Sequence, residues 1–481
     1  MAERVFCVDF GTAYTKVALR RDPTADSTLL ACAGADLDFW VPTVVTVDRC
    51  GAEPVVEFGH IAADRTAGGG IDRYTNFKRD LFTNPAPTAG APSAPPLDAL
   101  LGSDEFAALA AKYHVPPYQV AALRSMVGAA RTLIAAPGER AVSLDATKQA
   151  NAAKLAYHFF AWLRKQVLAA CEKLGKTGLR FEDFPVRVAV PSLVPGDVAD
   201  QPGCKLFRES LHRAGWPLHT ERPFVAEPES NAVGVLTGAT NALNVDRDKM
   251  LLGQMFGRGP LNTVVKGDKN HQTYRALVID VGAFTTDLSS LWLDTGGNAF
   301  LFGTDGGFTV QQKSVARGVN NLDADVLAAL SQAKREHLET MPRKDFSNFQ
   351  RAAYTDLNGI RPTGTGLGVI GGEGDRAAID PCIAAFGSRL VDEVKAFCAE
   401  VKPGNMQELI LTGGGANIPA VRNALIVAAQ AHGGEFIRVH APVARREKAG
   451  GPQIDGELKE NFARGGSALG GASIYFETSY H

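Results

Sequence analysis

None of the seven cysteines of this 481-residue chain stands at metal-ligand or redox spacing from another; Cys7, Cys32, Cys50, Cys171, Cys204, Cys382 and Cys398 are scattered and odd in number. A disulfide framework and a zinc knuckle are thereby excluded, and reduced, mostly buried thiols are expected. There is no basic block either. With 50 Lys and Arg against 52 Asp and Glu the net charge is −2, which argues against a nucleic-acid partner held by clustered cations. No run approaches the roughly 18 apolar residues of a membrane span, and no basic-then-apolar leader precedes the strand expected from Val5. The reading is a cytoplasmic protein without a membrane partner, large enough to need two hydrophobic cores.

What the sequence does have is a repeat. "RVFCVDFGTAYTKVALR" (4–20) is echoed by "ALVIDVGAFTTDLSSLW" (276–292). In each copy an apolar run ends in an aspartate (Asp9, Asp280), a glycine follows two positions later (Gly11, Gly282), and hydroxyl-bearing residues lead into a second extended run. Each copy reads as an antiparallel hairpin whose glycine relieves backbone crowding at the turn.

Elsewhere strands and helices alternate, which defines an α/β class. Val41 to Val47 is strand-like, and "YTNFKRDLF" (74–82) opens a short helix. Residues 83–96, "TNPAPTAGAPSAPP", read as an exposed insertion. Leu155, Phe159, Phe160, Leu163, Val167, Cys171 and Leu174 recur at helical spacing in a helix from Thr147 to Leu174. A strand at 186–192, a helix at 204–216 and a strand turning into a helix at 223–236 follow. A second insertion is expected at 239–274, a further strand pair and a helix from about Asn321 after the echo hairpin, and a glycine-rich loop at 359–375. "MQELILTGGGANIPAVRNAL" (406–425) is a strand, a triple-glycine turn and a helix from Pro419.

Five of these segments, "VDFGTAYTKVAL", "NFKRDLF", "FVAEPESNAVGVL", "VIDVGAFTTDLSSL" and "LTGGGANIP", resemble in order and spacing the motifs of the actin-like ATPase superfamily. The closest resemblance is to the nucleotide-binding domain of DnaK-type heat-shock chaperones. It implies two facing ribonuclease-H-like lobes with a nucleotide cleft between them. Lobe I would span 1–274, with an inserted subdomain at about 41–146 and completion by 450–481; lobe II would span 275–449, with an insertion at about 319–394.

The resemblance implies ATP or ADP with Mg²⁺ as cofactors and a slow, chaperone-like ATPase that switches conformation and partner binding. Gly11, Thr12, Ala13, Tyr14, Gly282, Ala283, Phe284 and Thr285 would surround the phosphates, and Gly413, Gly414, Gly415 and Asn417 the adenosine. Asp9, Asp280 and Asp287 would hold the metal, through water. Lys78, Glu227, Asp280 and Thr285 would form the catalytic set, Lys78 at the γ-phosphate and Glu227 on the attacking water. The chemistry is consistent with this. A Mg-triphosphate needs close backbone N–H groups, hydroxyls, and carboxylates for a metal that keeps several waters.

Three features depart from the chaperone pattern. Asn417 replaces the usual base-stacking arginine, Ala283-Phe284 replaces two glycines, and no peptide-binding domain is expected in the stretch from the last motif to His481. A protein partner or co-chaperone is expected. Two other functions fit the superfamily: an ATP-dependent actin-like or plasmid-segregation filament, and a small-molecule kinase of the sugar-kinase branch.

Overall fold

The computed structural model describes residues 4–20, 27–32, 39–83, 148–173, 184–201, 203–237, 271–296, 307–355, 373–404, 408–434, 438–442, 452, 454, 456–457 and 460–473. All of them fall in one compact unit assembled from 1–84 and 144–481. The insertion expected at 83–96, Thr83 apart, lies outside the described residues.

Two six-stranded mixed sheets organise the unit. The first contains β1 (Val5–Asp9), β2 (Tyr14–Arg20), β3 (Thr28–Leu30), β8 (Val186–Val190) and β9 (Phe224–Ala226) in the order β3-β2-β1-β8-β9, with β4 (Val41–Pro42) also pairing β2. The second runs β12-β11-β10-β13-β14-β15, built from β10 (His271–Val281), β11 (Thr286–Gly296), β12 (Gly307–Val315), β13 (Glu408–Thr412), β14 (Arg438–Ala441) and β15 (Gly456–Glu457). The pairing senses repeat. Each hairpin is antiparallel and extended by an antiparallel third strand, while its first strand pairs a later parallel strand that pairs another. The parallel strands β8 and β13 are buried along their whole length, as strands covered on both faces are.

A three-stranded antiparallel sheet, β6-β5-β7, is formed by β5 (Val45–Asp48), β6 (Val55–Phe58) and β7 (Ile71–Tyr74). The single strand expected over 41–47 is thus two. The break falls at Thr43, whose N–H and hydroxyl bond the carbonyls of Ala13 and Gly11 in the first hairpin turn, at 3.0 and 2.6 Å.

Eleven helices complete the described part: α1 (Gly59–Ala63), α2 (Phe77–Phe82), α3 (Lys148–Lys173), α4 (Cys204–Arg213), α5 (Glu227–Thr237), α6 (Val319–Ala329), α7 (Gln332–Thr340), α8 (Arg343–Thr355), α9 (Glu373–Val401), α10 (Pro419–His432) and α11 (Glu460–Gly471). Several boundaries differ from the sequence reading. Helix α4 stops at Arg213 because Gly215 takes φ +78°, a left-handed conformation favouring glycine. Strand β10 begins at His271, within the segment read as insertion. Helix α6 begins at Val319, where its first amides find the carbonyls of the second hairpin turn. Helix α9 begins at Glu373, inside the stretch read as loop. Of the further strand pair, only β12 lies among the described residues.

Beneath the first hairpin, Phe10 packs against Phe77, Phe160 and Phe207, with ring centroids 5.7, 5.1 and 5.0 Å apart. Burial of such rings is worth roughly 1.5–3 kcal/mol each, and Phe77 fixes α2 against the hairpin. The end of α11 is held by buried arginines. Arg20 Nε donates to Ala472 O at 2.8 Å, and Arg187 Nη1 to Gly471 O and Ser473 O at 3.4 Å. Cations at carbonyls ending a helix satisfy groups the helix cannot. Arg187 Nη2 also lies 3.3 Å from His219 Nε2, while the Glu221 and Arg222 amides donate to His219 Nδ1. Among the described residues no helix is long and apolar enough to cross a membrane.

Candidate functional site

One cleft of about 780 Å³ is lined by both hairpin turns, by α2 and α5 through Lys78 and Glu227, by the Gly413–Ile418 turn and by one face of α8. It gathers Asp9, Gly11, Thr12, Ala13, Tyr14, Lys78, Glu227, Asp280, Gly282, Ala283, Phe284, Thr285, Asp287, Gly413, Gly414 and Asn417. Of the residues expected from sequence only Gly415 is absent from the lining. It packs against Val281 and Val319, where a Cβ would collide with both side chains.

In each turn two carbonyls are bonded from outside the hairpin. In the first, the Gly11 and Ala13 carbonyls are taken by Thr43; in the second, those of Gly282 and Ala283 accept from the Val319 and Asn320 amides at 3.0 and 2.8 Å. A trans peptide points its N–H opposite its C=O. The amides of Thr12, Tyr14, Ala283 and Phe284 therefore face away from those bonds, on residues that line the cleft. A Cβ on Gly11 would strike the Tyr14 carbonyl, so glycine is required for a turn this tight. The Thr12 hydroxyl is buried without a hydrogen-bond partner. A buried hydroxyl left unpaired costs roughly 1–3 kcal/mol, which an anionic ligand oxygen would offset.

Each hairpin pairs its aspartate with the residue opposite it on the next strand, and there the copies diverge. Asp9 faces Lys16, with Nζ 2.7 Å from Oδ2. Asp280 faces Asp287 in the equivalent register. Like charges directly opposite each other are destabilising. Burial, with Asp9 and Glu227 adding to it and Lys16 opposing, pushes the Asp280 carboxyl up to about 7. Burial and then the charge of Asp280 push Asp287 up to about 7, against hydrogen bonds from Ser314 (2.5 Å) and Thr285 (3.3 Å).

Lys78 donates to Glu227 in a buried ion pair. Its position follows from sequence: Phe77, Leu81 and Phe82 bury the other sides of α2, and Glu227 is the first residue of α5, directly after β9. Burial raises the Glu227 carboxyl well above the usual carboxylate range despite Lys78, with Asp287 and Asp9 adding to the rise. Four carboxylates and two lysines, Lys16 and Lys78, thus share the cleft with Arg343, Arg351 and Arg464.

Among the described residues no cluster of three or more His, Cys, Asp or Glu is arranged to hold a metal by direct ligation. The opposed Asp280 and Asp287 nevertheless fit a hydrated dication, which relieves their repulsion without requiring all its ligands from protein. The Gly413 turn closes against Asp280, since a Cβ there would meet Asp280 Oδ1 and the Val281 carbonyl. Asn417 turns inward on its own turn, Nδ2 donating to Gly414 O at 3.3 Å.

Sequence reasoning missed several lining residues. Lys16 was within reach, because counting outward from the turn places it opposite Asp9. Arg343, Ser347, Gln350, Arg351 and Tyr354 on α8 were not, since only tertiary packing brings them there. Asp323 holds two of them, accepting from Gln350 Nε2 at 2.8–2.9 Å and from Tyr354 Oη at 2.8 Å. No family model and no curated protein matches this chain.

Proposed function

We propose that the chain is an actin-like ATPase of two ribonuclease-H-like lobes, nearest the DnaK-type chaperones, which binds Mg-ATP between the lobes and hydrolyses it to switch conformation. The observation that carries this reading is the duplicated hairpin. Two sheets of the same order each send one Asp-x-Gly turn to a single cleft.

Turn amides and the Thr12 hydroxyl bind phosphate oxygens, and Lys16 adds a compact positive charge on the same strand. Asp280 and Asp287, with Asp9 beside them, would hold a hydrated Mg²⁺, which would supply positive charge against the phosphates. Lys78 is held by Glu227 at the cleft wall, a preorganised cation for charge developing in the transition state. Glu227, kept basic by burial, orients and accepts a proton from the attacking water. Asn417, bonded back onto its own turn, supplies no stacking cation from the Gly413–Ile418 turn, consistent with modest affinity. A protein partner would read the closed state, and cytoplasmic location belongs to the same proposal.

Calorimetric titration tests it: Mg-ATP should bind at one site and be hydrolysed slowly in single-turnover assays. Absence of heat at millimolar Mg-ATP would refute the reading. ATP-dependent light scattering would point instead to a filament.

A further inference from the structure

Asn231 is 2 % exposed and lies one helical turn after Glu227 on α5, so the two side chains share a face of that helix. Its Nδ2 donates to Asp280 Oδ2 at 2.9 Å and to Thr412 Oγ1 at 2.8 Å. Asp280 and Thr412 are register partners at the tips of the parallel strands β10 and β13. Both amide protons are therefore used, one on each strand tip. Reversing the amide would set Oδ1 against a carboxylate, which fixes its orientation.

The Asn231 Oδ1 is buried with no hydrogen-bond partner. It rests on α11, where a Cβ at Gly466 would run into it; likewise a Cβ at Gly470 would run into the Ser230 carbonyl and one at Gly234 into the Gly466 carbonyl. Helices α5 and α11 thus cross in close contact at this residue. A buried polar atom without a partner is costly, and the Ala or Ser that would suit a tight crossing would avoid that cost. The donor function of Nδ2 accounts for an asparagine here.

We propose that Asn231 is a positioning residue for Asp280: it aims that carboxylate into the cleft and locks it to the helix that carries Glu227, so that the metal-holding and water-orienting groups keep one alignment. The inference rests on the nucleotide reading above. The Asp280 carboxylate would otherwise be free to rotate about its terminal torsion, which is broad.

The test is a Mg²⁺ titration of ATP binding by calorimetry on wild type, Asn231→Ala, Asn231→Leu and Thr412→Val, with metal-free ATP affinity measured in parallel. Asn231→Leu keeps the branched shape if the smaller variant folds poorly. Both Asn231 variants should raise the Mg²⁺ half-saturation concentration about tenfold while leaving metal-free affinity within about twofold. Thr412→Val, which spares the bond to Asp280, should stay within about twofold on both counts. Unchanged Mg²⁺ half-saturation in the Asn231 variants overturns the proposal, as does equal loss of metal-free affinity, the mark of a packing role alone. A wild type that binds no ATP removes the nucleotide reading itself, an outcome distinct from either.

Discussion

The two hairpins are close copies in backbone and opposites in charge. β1-β2 places Lys16 across from Asp9, whereas β10-β11 places Asp287 across from Asp280. The first carboxylate carries its counterion in the chain, and the second faces another acid. Both turns have their carbonyls satisfied from behind, so the difference lies in what each still needs from a ligand. The first offers a cation to an anion, and the second demands a cation. On the proposed function, a metal-bound phosphate chain would meet both demands at once, and the asymmetry of the copies would orient it.

Removal of the charge that serves both sides should break this division most severely. Lys78 eases the burdened carboxyls of Asp280 and Asp287 as well as pairing Glu227. Lys78→Ala should reduce single-turnover hydrolysis about a hundredfold, about 2.7 kcal/mol of transition-state stabilisation, with nucleotide still bound. Hydrolysis within about twofold of wild type would take Lys78 out of the chemistry.

Lys16→Ala sharpens the contrast from the other side. Metal-free ATP affinity should fall about tenfold, the order expected for losing a charge-assisted contact, while the rate of hydrolysis from the bound complex changes little. A drop in that rate equal to the one from Lys78→Ala would mean that the first hairpin supplies the catalytic cation.

A smaller effect lies in the pH dependence of ligand-free stability. Asp280 and Asp287 keep protons up to about 7 when folded, against a reference of 3.8. Between those values the folded state binds more protons than the unfolded chain. Their contribution is complete below about pH 3.8 and is lost as pH rises to about 7. His219 works in the opposite direction. Burial, then the charge of Arg187, lowers its pKa from 6.5 to about 4, so its contribution is complete above pH 6.5 and is lost as pH falls through about 4. The two effects oppose each other over the same window, about pH 4 to 6.5, and because two carboxyls outweigh one imidazole, thermal melts should show a net loss of stability as pH rises through it. Asp287→Asn should make that fall shallower and His219→Gln should make it steeper, each by a few degrees; an unchanged profile in Asp287→Asn would show that Asp287 takes up no proton on folding.

The hairpins themselves were legible because the signal is local: an apolar run, an aspartate and a glycine two positions on, written twice. Lys78 and Glu227 were legible only through the order of the motifs, since a lysine in a short helix and a Glu-Pro at a strand end carry no signal alone. The charge reversal between Lys16 and Asp287 needed the cross-strand register, which the turn length sets. Asn231 was hidden for another reason. It stands within the helix after the Glu-Pro pair, and both its partners, Asp280 and Thr412, come from the other sheet. The split of the expected 41–47 strand at Thr43 was equally a tertiary effect, drawn by the carbonyls of the first turn.

The division of labour between the hairpins is tested most directly by calorimetry of ATP binding with and without Mg²⁺ in wild type, Asp9→Asn and Asp280→Asn. Wild type should gain affinity from Mg²⁺, Asp280→Asn should lose about tenfold or more of that gain, and Asp9→Asn should lose less than about threefold, since Asp9 is already paired with Lys16. A larger loss in Asp9→Asn than in Asp280→Asn, or a wild type indifferent to Mg²⁺, would contradict the assignment of the metal to the second hairpin.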